Sequence, residues 1–419
     1  MERFSADERA RETMWRLAHQ LVTQRQYRIV NLFEAGGDFF DKLPAGQLET
    51  WLDAAEPWEL YFVKNHGRKF YLIRLAVVDF VWQRQWQDDV ERLHQLATMF
   101  QQRVVARKLY VQNTLILIQP VMPEVREHLA FSQIEEKKLS IFHCGIDLTE
   151  RQIVGRTLEK HGLSTEDLLA QMAAAPAGEA AVEELKREIR QTMAQKERQV
   201  QAVFSRGQPF WTYVFLGINI SVFLLMTLTG GTTNAENLIR FGAKYHPAIW
   251  AGEWWRFLTP VFIHIGMAHL LFNSFALYFL GPLVERIYGP WRFMVIYFTA
   301  GIMGVAGSFA FSPHLSAGAS SAIFGLFGAL LYFGQKYRDL FFQTIGMEIL
   351  TILGINLVFG LLSSGVDNYA HIGGLIGGYL ASVLLGLPRV KTGVLVRMGV
   401  LLLYGLLFAW LYQRGFQWM

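Results

Sequence analysis

The sequence predicts a multi-pass α-helical membrane protein that carries a soluble N-terminal domain of α/β or α+β type. Three observations predict it. Charge is dense up to about residue 206 and sparse beyond it. Past that point apolar runs of about 20 residues follow one another, the length that spans the ~30 Å hydrocarbon core of a bilayer. Before it, short runs rich in Val, Ile, Phe and Tyr alternate with polar segments, the pattern of strands. The averages of 52% hydrophobic and 14% aromatic over 419 residues conceal this division.

Within the first part, residues 6–27 show helical spacing, with Trp15, Leu17, Leu21 and Val22 among charged neighbours. Strands are expected at Glu59–Lys64, Lys69–Phe80, Tyr110–Gln119 and Leu139–Leu148, with a helix over 85–105. Residues 1–170 thus form the soluble domain. Residues 171–206 are a linker of small residues followed by a charged juxtamembrane helix. The net charge of +4 is small and not gathered into a stripe, which argues against a nucleic-acid partner. Cys144 is the only cysteine, so an intrachain disulfide is excluded, and with His143 it reads as an ordinary strand pair. The residues Met1 to Ser5 lack the apolar core of a signal peptide, so the first membrane helix is expected to direct its own insertion.

Seven spans are expected at about 211–231, 257–281, 293–312, 316–334, 347–364, 369–387 and 394–413. Cations set their direction. With a cytoplasmic N-terminus the inner segments hold Lys186, Arg187, Arg190, Lys196, Arg198, Arg206, Arg286, Arg292, Lys336, Arg338, Arg389 and Lys391. The outer ones hold Arg240, Lys244, Arg256 and Arg414. The bias places the N-terminal domain in the cytoplasm and, with an odd number of spans, the C-terminus outside.

Polar groups inside spans are costly and mark function. A short list stands out: His264, His269, Asn273, Ser320, Ser321 and His371. Ser320 and His371 both lie near the start of spans that enter from the outer side, hence at similar depth. His269 and Asn273 are four apart, on one helical face part-way down the second span. Peptide hydrolysis needs a nucleophile, a base and donors to an oxyanion. Ser320 is the candidate nucleophile and His371 the base. The helix N-terminus around Ala319 and Ser320 offers backbone N–H groups to the oxyanion, and His269 and Asn273 offer side-chain donors. Gly374 and Gly378 share the His371 face and permit close approach of a neighbouring helix. No acidic third member is evident: Asp367 reads as a turn or cap. Neither a metal nor a cofactor is called for.

Each of these residues alone has a plainer reading, a Ser as a packing residue and a His as a satisfied interior group. Trp254 and Trp255 fit an interfacial belt. The joint pattern carries the case. Residues 254–289, with Trp255-Arg256 and Glu285-Arg286, together with Gly318-Ala319-Ser320-Ser321 and Ala370-His371-Ile372-Gly373-Gly374, resemble the rhomboid intramembrane proteases. The resemblance covers roughly 205–390. It implies a rhomboid-like six-helix core over 207–390, a further C-terminal span over 391–419, and a Ser–His dyad that needs no acid. It also implies that Ser320 is the nucleophile and His371 the base, that His269 and Asn273 serve the oxyanion, and that the Trp-Arg and Glu-Arg pairs are structural, with Gly318 and His264 in support. Transmembrane proteins cut near the outer face are the implied substrates. In two places the chain departs from the pattern. Ser321 stands where Gly is usual and is expected to narrow the space beside the nucleophile. Phe324 stands where some members have Tyr, keeping the ring and losing the hydroxyl.

An active intramembrane serine endopeptidase is the leading reading. A silent relative that binds or escorts membrane clients is the alternative, opposed by the presence of both dyad residues and both donors. A transporter with a proton path through His264, His269 and His371 lacks paired carboxylates, Glu348 being the only candidate. Residues 1–170 are expected to serve as a cytoplasmic regulator or client adaptor, and the protein to reside in the plasma membrane.

Overall fold

The computed structural model describes residues 5–30, 58–66, 69–79, 83–103, 108–120, 123–131, 133–205, 207–363, 365–388, 390 and 392–418, so Arg206, Arg389 and Lys391 lie outside the described residues. The chain divides into two units, Met1–Gln199 and Val200–Met419. Residues 171–199, read from sequence as linker and juxtamembrane helix, fall in the first.

The first unit opens on helix α1 (Ala6–Thr23), started by a capping box in which the Ser5 hydroxyl accepts from Glu8 N–H and the Glu8 carboxylate accepts from Ser5 N–H. Its buried face, Ala10, Met14, Leu17, Ala18 and Leu21, has the spacing of one helical stripe. The strands are β1 (Arg28–Val30), β2 (Glu59–His66), β3 (Lys69–Val78), β4 (Lys108–Leu117), β5 (Gln133–Glu135), β6 (Leu139–Asp147) and β7 (Gln152–Gly155). They form one mixed sheet in the order β1-β2-β3-β4-β6-β5, with β7 also paired to β6. β3, β4 and β6 are mutually parallel. Parallel neighbours require crossovers, here made by α2 (Gln83–Arg103) and by α3 (Pro123–Phe131) with β5. Tyr71, Ile73, Leu75 and Val77 of β3 share a core with α1, α4 (Thr165–Ala173) and α5 (Glu179–Phe204). Leu72 and Ala76 face α2 and α3 on the other side. Central strands covered on both faces explain why the sequence there is nearly all apolar. The expected strands are present, Phe80 lying outside the described residues, and so are both helices, the first ending at Thr23 and the second described to Arg103, with 104–105 outside the described residues. The three- and four-residue strands, α3 and α4 were not expected, because so short a run carries no readable period.

In the second unit the helices are α6 (Trp211–Thr229), α7 (Ala235–Phe241), α8 (His246–Trp250), α9 (Gly266–Tyr288), α10 (Pro290–Phe311), α11 (Ser320–Lys336), α12 (Arg338–Thr344), α13 (Gly346–Leu362), α14 (Asn368–Leu385) and α15 (Val394–Gly415). Among the described residues, four helices are long and apolar enough to cross a membrane: Trp211–Thr229, Gly266–Tyr288, Pro290–Phe311 and Val394–Trp418. Gly346–Leu362 is apolar but shorter. Leu224, Leu225, Leu228, Val358, Phe359 and Leu402 are exposed, a distribution suited to hydrocarbon rather than water.

The second apolar run departs from its expected bounds of 257–281. Residues Trp254–Phe257 and Thr259–Phe262 form two 3-10 turns, and the long helix starts only at Gly266 and continues to Tyr288. Pro260 lies within the second turn and Gly266 has φ +76, so a helix through this stretch is interrupted locally. Glu285 and Arg286 consequently sit in the last turn of α9 rather than after it.

Helices α10, α11 and α14 are packed through glycine. A Cβ on Gly374 would lie 2.0 Å from the Ser321 carbonyl oxygen, and one on Gly378 2.1 Å from that of Gly325. A Cβ on Gly304 of α10 would lie 2.5 Å from the Ala370 carbonyl oxygen. The three backbones therefore touch, which only glycine permits at these positions.

Candidate active site

Ser320 is the first residue of α11 and His371 lies in the first turn of α14. The glycine contacts bring those two helices together along the faces that carry them. Phe324, one turn after Ser320, lies flat on the His371 ring at 4.1 Å between centroids and 10° between planes. Residues i and i+4 share a helix face, so the imidazole lies on the side of α11 from which Ser320 projects. Ser320 is partly exposed while His371 is 8% exposed.

His269 reaches the same place from α9. A Cβ on Gly318 would fall 2.7 Å from His269 Nε2 and 3.7 Å from Ser320 Oγ. The His269 ring and the Ser320 hydroxyl therefore border one small gap, open because residue 318 has no side chain. Its φ of +137 demands glycine independently. His269 Nδ1 accepts from Ile265 N–H at 3.3 Å, which leaves Nε2 toward the gap. Asn273 spends one amide hydrogen on the His269 carbonyl oxygen at 2.9 Å and retains the other.

The Ala319 N–H, expected among the oxyanion donors, is turned elsewhere. It points at His264 Nε2, 3.4 Å away, and both residues are fully buried. The Gly318 N–H is likewise committed, to the Pro260 carbonyl oxygen at 2.9 Å. By helix geometry the unspent backbone donors begin at Ser320. His264 thus supports the backbone just ahead of Ser320, edge-on to His269 at 5.3 Å between ring centroids.

Ser321, expected to narrow the space beside the nucleophile, is 2% exposed and spends its bulk against α10, where a Cβ on Gly304 would meet its own Cβ at 2.5 Å. Asp367 is a cap, as its loop position indicated: Oδ1 accepts from Ala370 N–H at 3.1 Å, and Ser308 Oγ donates to Oδ2. It fixes the first turn of the helix that carries His371.

The paired motifs hold the scaffold. Arg256 Nη1 donates to the carbonyl oxygens of Ile239 at 2.8 Å and Ala243 at 2.9 Å, and Nε to Glu253 at 2.7 Å. Trp255 remains 44% exposed beside Trp254. Glu285 is fully buried and caps α6: its carboxylate accepts from the N–H of Phe210, Trp211 and Thr212 and from the Thr212 hydroxyl at 2.8–3.0 Å. A negative charge at a helix N-terminus answers both the orphan donors and the dipole. Arg286, beside it, is exposed. Sequence reasoning passed over Ser308 and took Lys244, here buried, only as a cation of an outer segment. The signal available for Lys244 was a cation just ahead of the Trp-Arg pair.

A family model described as the Rhomboid domain matches residues 251–388. Over 407 residues the chain is 35% identical to the rhomboid protease GluP of Bacillus subtilis, covering 96% of this chain and 74% of that protein. It is 29% identical over 221 residues to the rhomboid protease AarA of Providencia stuartii, 43% of this chain and 74% of that protein. Inactive RHOMBOID-like protein 8 of Arabidopsis thaliana is 41% identical over 129 residues, 30% of this chain and 36% of that protein.

Proposed function

This chain belongs to the rhomboid family of membrane-embedded serine proteases, and from that premise we infer that Ser320 and His371 form the dyad by which it cuts peptide bonds in or near transmembrane segments. The observation that carries the assignment is the Phe324–His371 stack, which fixes the imidazole against the face of α11 that begins at Ser320. His371 takes the Ser320 proton as the hydroxyl oxygen attacks the scissile carbonyl. The resulting oxyanion accepts from the Ser320 N–H and from His269 and Asn273. His371 then gives the proton to the leaving amine, and a water, activated by the same imidazole, releases the acyl group.

In this reading seven helices span the plasma membrane, α6, α9, α10, α11, α13, α14 and α15. Residues 207–390 are the protease core and 391–419 the added span. The N-terminus is cytoplasmic, the C-terminus is outside, and cleavage occurs near the outer face. Residues 1–170 act on the other side as a regulator or client adaptor. Deleting them is expected to change the set of proteins cut in cells, and an unchanged set removes that role.

The relative named inactive favours weighing a silent, client-binding reading beside the catalytic one. Purified protein in proteoliposomes, given a single-span substrate, separates them. Cleavage that disappears in Ser320→Ala and in His371→Ala supports the dyad. Client association without any cleavage by the wild type supports the silent reading.

A further inference from the structure

Lys244 lies in the connection between α6 and α9, yet it is completely buried. Its Nζ donates to the carbonyl oxygens of Ser312 at 2.6 Å and His314 at 2.7 Å. Its backbone pairs with Ser316 in both directions, Lys244 N–H to Ser316 oxygen at 2.8 Å and Ser316 N–H to Lys244 oxygen at 3.2 Å. One residue therefore grips the segment 312–316 at three points. Ser312 follows the last turn of α10, where carbonyls lack helical partners and a cation is favoured. Two residues beyond Ser316 comes Gly318, then the start of α11.

Lys244 is itself held from behind. The Thr259 hydroxyl donates to the Gly242 carbonyl oxygen at 2.6 Å, and Arg256 donates to that of Ala243 at 2.9 Å. The Trp-Arg segment thus connects to the nucleophile segment through Lys244.

Resting on the reading of Ser320 as nucleophile, we propose that Lys244 is a positioning residue whose ammonium clamps segment 312–316 and so sets where Gly318, Ala319 and Ser320 lie relative to His269 and His371. The clamp depends on charge. The ammonium is surrounded by carbonyls, and among the described residues it has no carboxylate within ion-pairing distance. Asp367 at the N-terminus of α14 acts on it from further off. His246 also acts on it electrostatically, and Arg256, bonded to the Ala243 carbonyl oxygen, has its charge paired with Glu253. Burial, partly offset by Asp367, pushes the Lys244 ammonium down to about 8. Protonated lysine donates three hydrogens and carries charge, and the neutral amine loses both the charge and one donor. The clamp is complete below that pH and weakens above it.

The test compares Lys244→Met and Lys244→Arg in the full chain in proteoliposomes, with kcat and KM for a single-span substrate from pH 6 to 10. A displaced nucleophile lowers kcat by about 10- to 100-fold with KM within about twofold. Lys244→Met is expected to show that loss. Lys244→Arg is expected to restore turnover and to move the alkaline decline to higher pH, because guanidinium does not lose its proton there. A merely structural lysine would give no movement of that limb. Hydrogen exchange over 312–320 supplies a readout independent of catalysis: Lys244→Met is expected to speed it, in a Ser320→Ala background as well. If Lys244→Met does not assemble, exchange in the wild type serves instead, and opening of 312–320 must rise between pH 7 and 9 after correction for intrinsic base catalysis. Unchanged kcat and unchanged protection in Lys244→Met, or flat opening in the wild type, overturn the clamp. Wild-type cleavage by Ser320→Ala overturns the nucleophile instead and leaves the exchange result standing.

Discussion

Arg74 in the first unit and Glu285 and Lys244 in the second are buried charges satisfied in opposite ways. In the first, Arg74 is 1% exposed and pairs with other side chains: Asp89 at 2.6 and 2.7 Å, Glu59 at 3.0 Å and the Asn113 oxygen at 3.0 Å. In the second, Glu285 and Lys244 are as deeply buried and bond almost wholly to backbone, the carboxylate to a helix N-terminus and the ammonium to the carbonyls after a helix end. A sheet satisfies its own backbone, so a charge placed against it must bring a side-chain partner. Helices in an apolar bundle leave orphan groups only at their ends, and a single charge there serves in place of a counter-ion. The cores differ likewise. The first unit fills its interior with Leu, Ile and Tyr, whereas around the candidate site close contact is made by removing side chains altogether, at Gly304, Gly374 and Gly378.

That contrast can be broken in steps of decreasing size. Gly374→Leu forces a side chain onto the Ser321 backbone, 2.0 Å from where its Cβ must go, and separates α14 from α11. Cleavage is expected to fall by about 100-fold or more, measured on protein that still inserts. Glu285→Ala leaves three N–H groups and a hydroxyl without their acceptor. It is expected to cost about 3 kcal/mol or more in the resistance of α6 and α9 to denaturant.

The first unit responds instead to acid. His143 hydrogen-bonds Asn113 on one nitrogen, has Trp86 edge-on, and is held by burial well below its usual range, at about 4. The unfolded chain takes up a proton near pH 6.5 that the folded unit refuses. Stability is therefore full above about 6.5 and declines as pH falls toward 4, by about 3 kcal/mol. Asp89 acts in the same direction lower down. Burial raises it, but the hydrogen bonds and charge of Arg74 more than offset that, so its contribution is lost as pH drops below the ordinary carboxylate range. Hydrogen exchange of β6 between pH 7 and 4 checks this, and His143→Gln should flatten the upper part of the slope. Smallest is Ser5→Ala, which removes the α1 cap and should cost about 1 kcal/mol, read from exchange in the first turn of α1.

What was legible in the sequence divides along the same line. Strands of eight or more residues and helices with one apolar stripe announce their period, so β2, β3, β4, β6, α1 and α2 were readable. Apolar runs in the second unit gave the positions of its long helices, except for α9, where Pro260 and Gly266 interrupt a run that composition alone treats as continuous. The motif residues Ser320, His371, His269 and Asn273 were legible as types at spacings. The uses of Glu285 as a cap, of Ala319 N–H toward His264, and of Lys244 on segment 312–316 were not, since each depends on a tertiary contact across tens of residues that no local period encodes. Asp367 was legible as a turn or cap from its loop position just ahead of a span, a local feature.

The central claim is that Ser320 is the attacking atom's owner and His371 its base. Purified wild type, Ser320→Ala and His371→Ala, each in proteoliposomes with a single-span substrate and a serine-directed fluorophosphonate, test it most directly. Cleavage and labelling at Ser320 are expected in the wild type, and neither cleavage nor labelling at that position in the two variants, with equal insertion of all three. Cleavage at the wild-type rate by Ser320→Ala, or labelling that maps to another serine, contradicts it.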